Sequence, residues 1–212
     1  MFWNNKRGIQ VTNQRLGRLE KMTLKYALDL NKNSITLDLG GGNGYISWIL
    51  TLFHHQVFYY DIKPNWRIKW LKKIFHFKKL KILKKDLKKI NYSDLPKNID
   101  LIYSARTLHY LNYENFEALL KKLESRLKKN GKIFITVTGV ESEIGKKYPC
   151  AEKKIEERFC FLEKEYQERF EIKEKIFLMN FEEFQEIFKK YFILEEAWES
   201  DFKNLFFVGF KK

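Results

Sequence analysis

The residues best suited to chemistry are concentrated in Asp38-Leu39-Gly40-Gly41-Gly42-Asn43-Gly44. A glycine-rich turn can adopt φ > 0 and bring bare backbone against a ligand that any Cβ would hold off. Two phosphate-binding designs fail here. A dinucleotide turn needs G-x-G-x-x-G, and from Gly40 that spacing puts Tyr45 where the last glycine belongs. A phosphate loop needs Lys-Ser or Lys-Thr after its last glycine, and neither follows Gly44. What remains is an acid two residues ahead of Gly40. Asp38 can accept from an ammonium group or order a water, while the glycine backbone lies along an uncharged nucleoside.

Such a turn works only where a strand hands over to a helix, and the surrounding pattern supplies both. Ser34 to Leu39 is a short β-branched and apolar run, and Gly44 to Phe53 reads as an interior helix. Leu16, Leu19, Leu24 and Leu28 recur at helical spacing and predict a helix over 9–30. The alternation continues with strand 56–60, a helix from Pro64, strands 80–84 and 99–103, a helix over 115–129 stopped at Asn130-Gly131, and strand 132–138. Residues 139–178 break this rhythm without a clear strand and read as an insertion that closes over a substrate. A helix over 181–191 and two strand-like runs, 192–199 and 204–211, complete the chain. The expected fold is α/β: a doubly wound, mostly parallel seven-stranded sheet with an antiparallel C-terminal edge hairpin and helices on both faces. Its 212 residues suit a single domain with an N-terminal helical segment over 1–33.

In order and on strand ends, these elements resemble the class I S-adenosylmethionine-dependent methyltransferases. The resemblance covers Ser34 to Thr138, about half of the chain. In that family the second strand ends in an acid that holds both ribose hydroxyls, and Tyr59-Tyr60-Asp61 places Asp61 there, with Ile62 beside it. Asp86, after the third strand, matches the acid near the adenine amino group, and Leu87 offers its backbone amide. Asp38, Gly40, Gly41, Gly42, Asn43 and Gly44 match the family's cofactor turn, and Ser104 ends the fourth strand. The antiparallel tail also fits. The resemblance implies S-adenosyl-L-methionine as cofactor and methyl transfer as the activity.

In-line transfer from a sulfonium needs mostly alignment. Tyr45, Tyr103 and Tyr110 are candidate walls for a dry pocket, in the region where the family places its active-site edge, Ala105 to Leu111. His109 is the histidine placed to act as a base, or it is a loop histidine making one backbone hydrogen bond. Arg106 holds a substrate anion or is a solvated arginine. The Asp- or Asn-Pro-Pro-aromatic signature of base-amino methyltransferases is replaced after the fourth strand by Ser104-Ala105-Arg106-Thr107, which disfavours amino methylation of DNA bases. Cys150 and Cys160 are ten apart with no CxxC, signalling neither a disulfide scaffold nor zinc; Cys150 reads as an ordinary thiol and no metal is expected.

The net charge of +14 is uneven: residues 1–140 carry 27 Lys+Arg against 10 Asp+Glu, and residues 141–212 carry 14 against 17. The stretch Lys63 to Lys89 has twelve basic residues and one acid, Asp86. It could meet nucleic acid or an acidic membrane. The plainer reading puts Trp66, Trp70, Ile74 and Phe77 on one helix face against the sheet, with lysines solvating the other. No run reaches the roughly 18 apolar residues of a membrane span, and MFWNNKRGIQ lacks the apolar core of a secretory signal, so a cytoplasmic protein is expected. The preferred function is methylation of a small molecule. The alternatives are RNA or protein methylation through the basic surface, and a non-catalytic S-adenosylmethionine-binding module. Oligomeric state is not legible.

Overall fold

The structure is a computed structural model that describes residues 16–212. Residues 9–15 of the expected first helix, and the N-terminal segment read for a secretory signal, lie outside the described residues. The elements follow as α1 (Arg18–Asp29), β1 (Ile35–Leu39), α2 (Tyr45–Leu52), β2 (Gln56–Asp61), α3 (Trp66–Ile74), β3 (Leu80–Lys84), β4 (Ile99–Ala105), α4 (Tyr113–Arg126) and β5 (Leu127–Thr138). They continue with β6 (Phe159–Cys160), α5 (Lys164–Phe170), β7 (Ile176–Phe177), α6 (Phe181–Tyr191), β8 (Phe192–Glu199) and β9 (Asn204–Lys211).

Seven strands form one sheet in the order β3-β2-β1-β4-β5-β9-β8. Pairings from β3 through β5 are parallel, whereas β9 runs antiparallel to both β5 and β8. The chain's last strand therefore lies inside the sheet and β8 forms the edge. Composition explains this choice: Leu205, Phe207 and Val208 of β9 are fully buried, whereas Ile193 of β8 is more than half exposed. A strand bearing apolar side chains on both faces gains most from the two-sided position.

Period-two alternation splits the sheet's side chains between two cores. Leu37, Leu39, Tyr60 and Ile102 join Phe116, Leu120, Phe184 and Phe188 under α4 and α6. Val57, Tyr59, Leu101 and Tyr103 join Leu19, Ile46, Leu50 and Ile68 under α1, α2 and α3. Caps set the helix starts. Asn65 accepts from the Arg67 amide, Asn112 from the Asn115 amide, and Asn180 with Glu183 forms a capping box. Pro64 thus precedes the cap of α3 rather than occupying its first turn.

Several expectations need correction. The helix predicted over 115–129 ends at Arg126, and β5 starts at once. Asn130-Gly131 lies inside β5, where the register against β4 shifts between Ile99 and Leu101. A Cβ on Gly131 would come within 2.8 Å of the Ile99 carbonyl oxygen, so this glycine serves close strand approach rather than helix termination. On α3 the expected face is reversed: Ile68 is buried, whereas Trp66, Trp70 and Ile74 are 67%, 53% and 46% exposed. Phe77, just beyond the helix, does pack on the core. Cys150, read as an ordinary thiol, forms a disulfide with Cys160, their Cα atoms 6.4 Å apart.

Residues 139–178 carry short turns, α5 and the two-stranded β6–β7 pair. Ile144, Tyr148, Leu162, Tyr166, Phe170, Ile172 and Ile176 build a separate small core with the disulfide at its side. Arg158 Nη1 meets both Glu183 carboxylate oxygens at 2.9 and 2.7 Å, tying this segment to the start of α6. Among the described residues no helix is long and apolar enough to cross a membrane.

Candidate active site

The parallel register pairs Asp38 with Tyr59 and Leu39 with Tyr60, so β1 and β2 leave the sheet side by side. The amides of Gly40 and Gly41 both donate to the Tyr60 carbonyl, at 2.7 and 3.1 Å, carrying the pairing one step past the strand. The backbone then turns at φ 66° in Gly40 and 53° in Gly42. These two glycines meet different demands. A Cβ on Gly40 would fall 2.1 Å from Thr107 Oγ1, where the fold itself leaves no room. One on Gly42 would meet nothing nearer than the Gly40 carbonyl oxygen at 3.8 Å. Backbone at Gly42 is thus bare toward open space, as a cradle for a flat ligand requires.

Three side chains hold this bend. The Tyr59 hydroxyl donates to the Gly42 carbonyl at 2.7 Å, and Asp61 Oδ2 accepts from the Gly42 amide at 3.0 Å. Asp61 Oδ1 accepts from the Lys63 amide at 2.7 Å, so the carboxylate is aimed at the bend by its own turn. Asn43 Oδ1 accepts from the Tyr45 amide at 3.0 Å and turns the chain into α2, while Ile62, beside Asp61, is 61% exposed.

Asp38 lies beneath, only 1% exposed. Its Oδ2 accepts from Ser47 Oγ at 2.6 Å, and its Oδ1 is buried without a partner. Burial pushes its carboxyl up to about 7; the Ser47 hydroxyl opposes that rise and the Asp61 charge adds to it. A buried carboxylate with an unused acceptor beside an open backbone cradle suits a ligand that carries an ammonium group and a neutral nucleoside. The donor set therefore fits S-adenosylmethionine.

The other expected residues line the same carboxyl-end edge of the sheet, where parallel sheets place their ligands. Asp86 lies two residues past Lys84, which pairs with Asp61; its Oδ1 accepts from the Lys88 amide at 3.0 Å, and Leu87 packs half-buried on the core. Ser104 Oγ donates to the Leu39 carbonyl at 2.9 Å, and Thr107 Oγ1 stands 3.3 Å from the Gly40 carbonyl oxygen, so the end of β4 is locked to the bend.

Beyond Thr107 the character changes. Arg106 is exposed with φ 51°, its amide donating to the Thr136 carbonyl at 2.8 Å. His109 is 4% exposed, its ring centroid 4.5 Å from that of Tyr110, and its Nδ1 has no partner. Burial, with a smaller push from Arg106, lowers its pKa to about 3, so the imidazole is neutral at ordinary pH. Tyr110 packs against the small core of residues 139–178, and burial raises its hydroxyl to about 12. Tyr103, expected as a pocket wall, instead donates to Glu20 of α1 at 2.8 Å.

Tyr59 and Ser47 were not expected at the site, and Thr107 was expected only within the Ala105–Leu111 edge, with no contact to the bend. Tyr59 sits two positions before Asp61 on an alternating strand, and Ser47 falls in the first turn of α2, so both carried a positional signal; Thr107 reaches Gly40 only through sheet pairing.

The family described as tellurite resistance protein TehB matches residues 19–190. No curated protein matches the sequence. Among solved structures, the chain is similar to a TehB-like SAM-dependent methyltransferase of Corynebacterium glutamicum, at 20% identity, TM-score 0.61, and 92% and 88% coverage of the two chains. TehB from Haemophilus influenzae follows at 18% identity and TM-score 0.66, with 96% of this chain covering 64% of that one. A Burkholderia thailandensis 1,6-didemethyltoxoflavin-N1-methyltransferase, bound to 1,6-didemethyltoxoflavin and S-adenosylhomocysteine, matches at 12% identity and TM-score 0.66, over 92% and 76% of the chains. With a family match across most of its length and the sheet order described above, the chain belongs to the TehB family and has the class I, Rossmann-like fold of S-adenosylmethionine-dependent methyltransferases.

Proposed function

We propose that this protein transfers a methyl group from S-adenosylmethionine to a small-molecule acceptor. The observation that carries the reading is the open backbone at Gly42, bridged to the Asp61 carboxylate at 3.0 Å and backed by the buried Asp38. Bound there, the cofactor supplies an electrophilic methyl on a sulfonium. Asp61 keeps lone pairs free for ribose hydroxyls, Asp38 takes the ammonium end, and Asp86 with the Leu87 amide faces the adenine. Gly40, Gly41, Asn43, Gly44, Ile62 and Ser104 shape the surrounding wall.

On the acceptor side, His109 contributes a neutral imidazole. It can accept a hydrogen bond and turn a lone pair of the acceptor into line, but so weak a base holds a proton poorly. Tyr110 and Arg106 complete that side, and residues 139–178 cover it as a lid. Two facts support a small acceptor. The family's description refers to resistance to tellurite, a small inorganic anion, and the Burkholderia neighbour binds 1,6-didemethyltoxoflavin.

Calorimetry with S-adenosylmethionine tests the cofactor; absence of binding to folded protein rejects it. Asp61→Ala is expected to cost roughly 1.5 to 3 kcal/mol of cofactor affinity while circular dichroism stays unchanged. With methyl-labelled cofactor and a cell extract, label is expected in the acid-soluble fraction. Label in precipitated RNA or protein would replace the small acceptor by a macromolecular one, and binding without any transfer would leave a module without turnover.

A further inference from the structure

The helix α3 presents its bulkiest apolar side chains to solvent. Along it Trp66, Trp70 and Ile74 recur every fourth residue and are 67%, 53% and 46% exposed, and Ile62, in the bend ahead of the helix, is 61% exposed. Ile68 anchors the opposite side of α3 in the core. The helical repeat carries Trp66 and Trp70 to the outer side, with Lys69 and Lys73 beside them. Phe75 continues the patch, 53% exposed and stacked at 5.5 Å on Phe77. Soluble surfaces scatter such residues singly; a contiguous row marks an interaction surface.

Charge says what kind of partner covers it. Among the described residues Lys69, Lys72 and Lys73 form no ion pair, and with Lys78 and His76 they line an open groove of about 410 Å³ beside the row. The single acid of residues 63–89, Asp86, is engaged as the cap of its own turn. The partner must be anionic and must also accept branched aliphatic side chains. A stacking platform for bases uses aromatic rings, and Ile74, which closes this row, has no ring face to offer. Tryptophans with flanking lysines suit the boundary between headgroups and acyl chains, where indole sits at the interface and lysine reaches outward to phosphate.

We infer that the Trp66–Ile74 face of α3 docks the protein onto an anionic phospholipid bilayer, peripherally and without crossing it. The helix α3 holds none of the residues assigned to the proposed chemistry.

Co-sedimentation with vesicles tests this. At about 0.1 M salt, where the Debye length is about 10 Å, the full chain is expected to partition at least roughly tenfold more onto equimolar phosphatidylglycerol–phosphatidylcholine vesicles than onto phosphatidylcholine alone. Trp66→Ala with Trp70→Ala is expected to cut that partition about tenfold or more, because their contribution is apolar, with circular dichroism unchanged since both side chains are exposed. Lys69→Glu with Lys73→Glu should abolish the preference for acidic vesicles. Equal partition onto both vesicles, or an unaltered double tryptophan variant, overturns the inference. So does binding to an oligouridylate without binding to acidic vesicles, which would assign the face to nucleic acid instead.

Discussion

The glycine bend and residues 139–178 occupy neighbouring positions but are stabilised in different ways. At the bend nearly every contact ends on backbone: two amides on the Tyr60 carbonyl, Asp61 on the Gly42 amide, Tyr59 on the Gly42 carbonyl, Ser104 on the Leu39 carbonyl. Residues 139–178 depend on side-chain burial, a disulfide and the Arg158–Glu183 pair. Backbone contacts demand particular φ angles and so tolerate few residue types, whereas a small apolar core accepts many of similar volume. Under the proposed function, the bend would be a rigid cofactor side and residues 139–178 a re-packable acceptor side.

The strongest test of that contrast compares glycines within the bend. Gly40→Val must displace Thr107 and adopt φ 66°, at a cost on the order of 3 to 4 kcal/mol of fold stability, read by denaturant unfolding. Gly42→Val meets open space, should lose only about 1 to 2 kcal/mol to its backbone conformation, and should block cofactor binding in folded protein. Equal stabilities for the two variants would break the distinction between a glycine kept for the fold and one kept for a ligand.

Cys150→Ser should act in the other region alone. Opening a loop of this length costs roughly 2 to 3 kcal/mol, seen as easier proteolysis within residues 139–178, while cofactor affinity stays unchanged. A matching fall in cofactor affinity would show that the regions are coupled. His109→Ala is expected to lower kcat about ten- to a hundredfold with little change in cofactor Kd, and the wild-type kcat profile should show no inflection near the ordinary histidine pKa. A histidine-like inflection that vanishes in the variant would restore His109 as the proton acceptor.

A further effect is in pH. Because the Asp38 carboxyl titrates near 7, a cationic ligand must displace its proton in acid, so cofactor affinity should fall by up to about tenfold per unit below pH 7 and level off above it. The ligand-free fold has the reverse dependence. Its raised carboxyl favours the folded state fully below the ordinary value of 3.8, and that contribution is lost as pH rises through about 7. Asp38→Asn should flatten both curves, as followed by calorimetry and thermal unfolding.

Local chain preferences made much of this legible beforehand. A strand, a glycine turn and a helix are adjacent in sequence, so Asp38, the bend and the strand-end Asp61 could be placed from pattern alone. The α3 face was misread because the helix carries two apolar stripes, and the bulkier was taken as the buried one. Helical spacing cannot tell which stripe meets the sheet when both are amphipathic.

The sequence by itself determined the alternation of strands and helices, the parallel sheet with its antiparallel tail and the glycine bend, because each rests on periodicity or on backbone angles that nearby residues dictate. Tertiary structure alone decided that β9 lies inside β8, that Cys150 meets Cys160, that Tyr59 and Thr107 brace the bend, and that burial strips His109 of its basicity. Those features depend on distance and desolvation between segments far apart in the chain, and no local pattern records them.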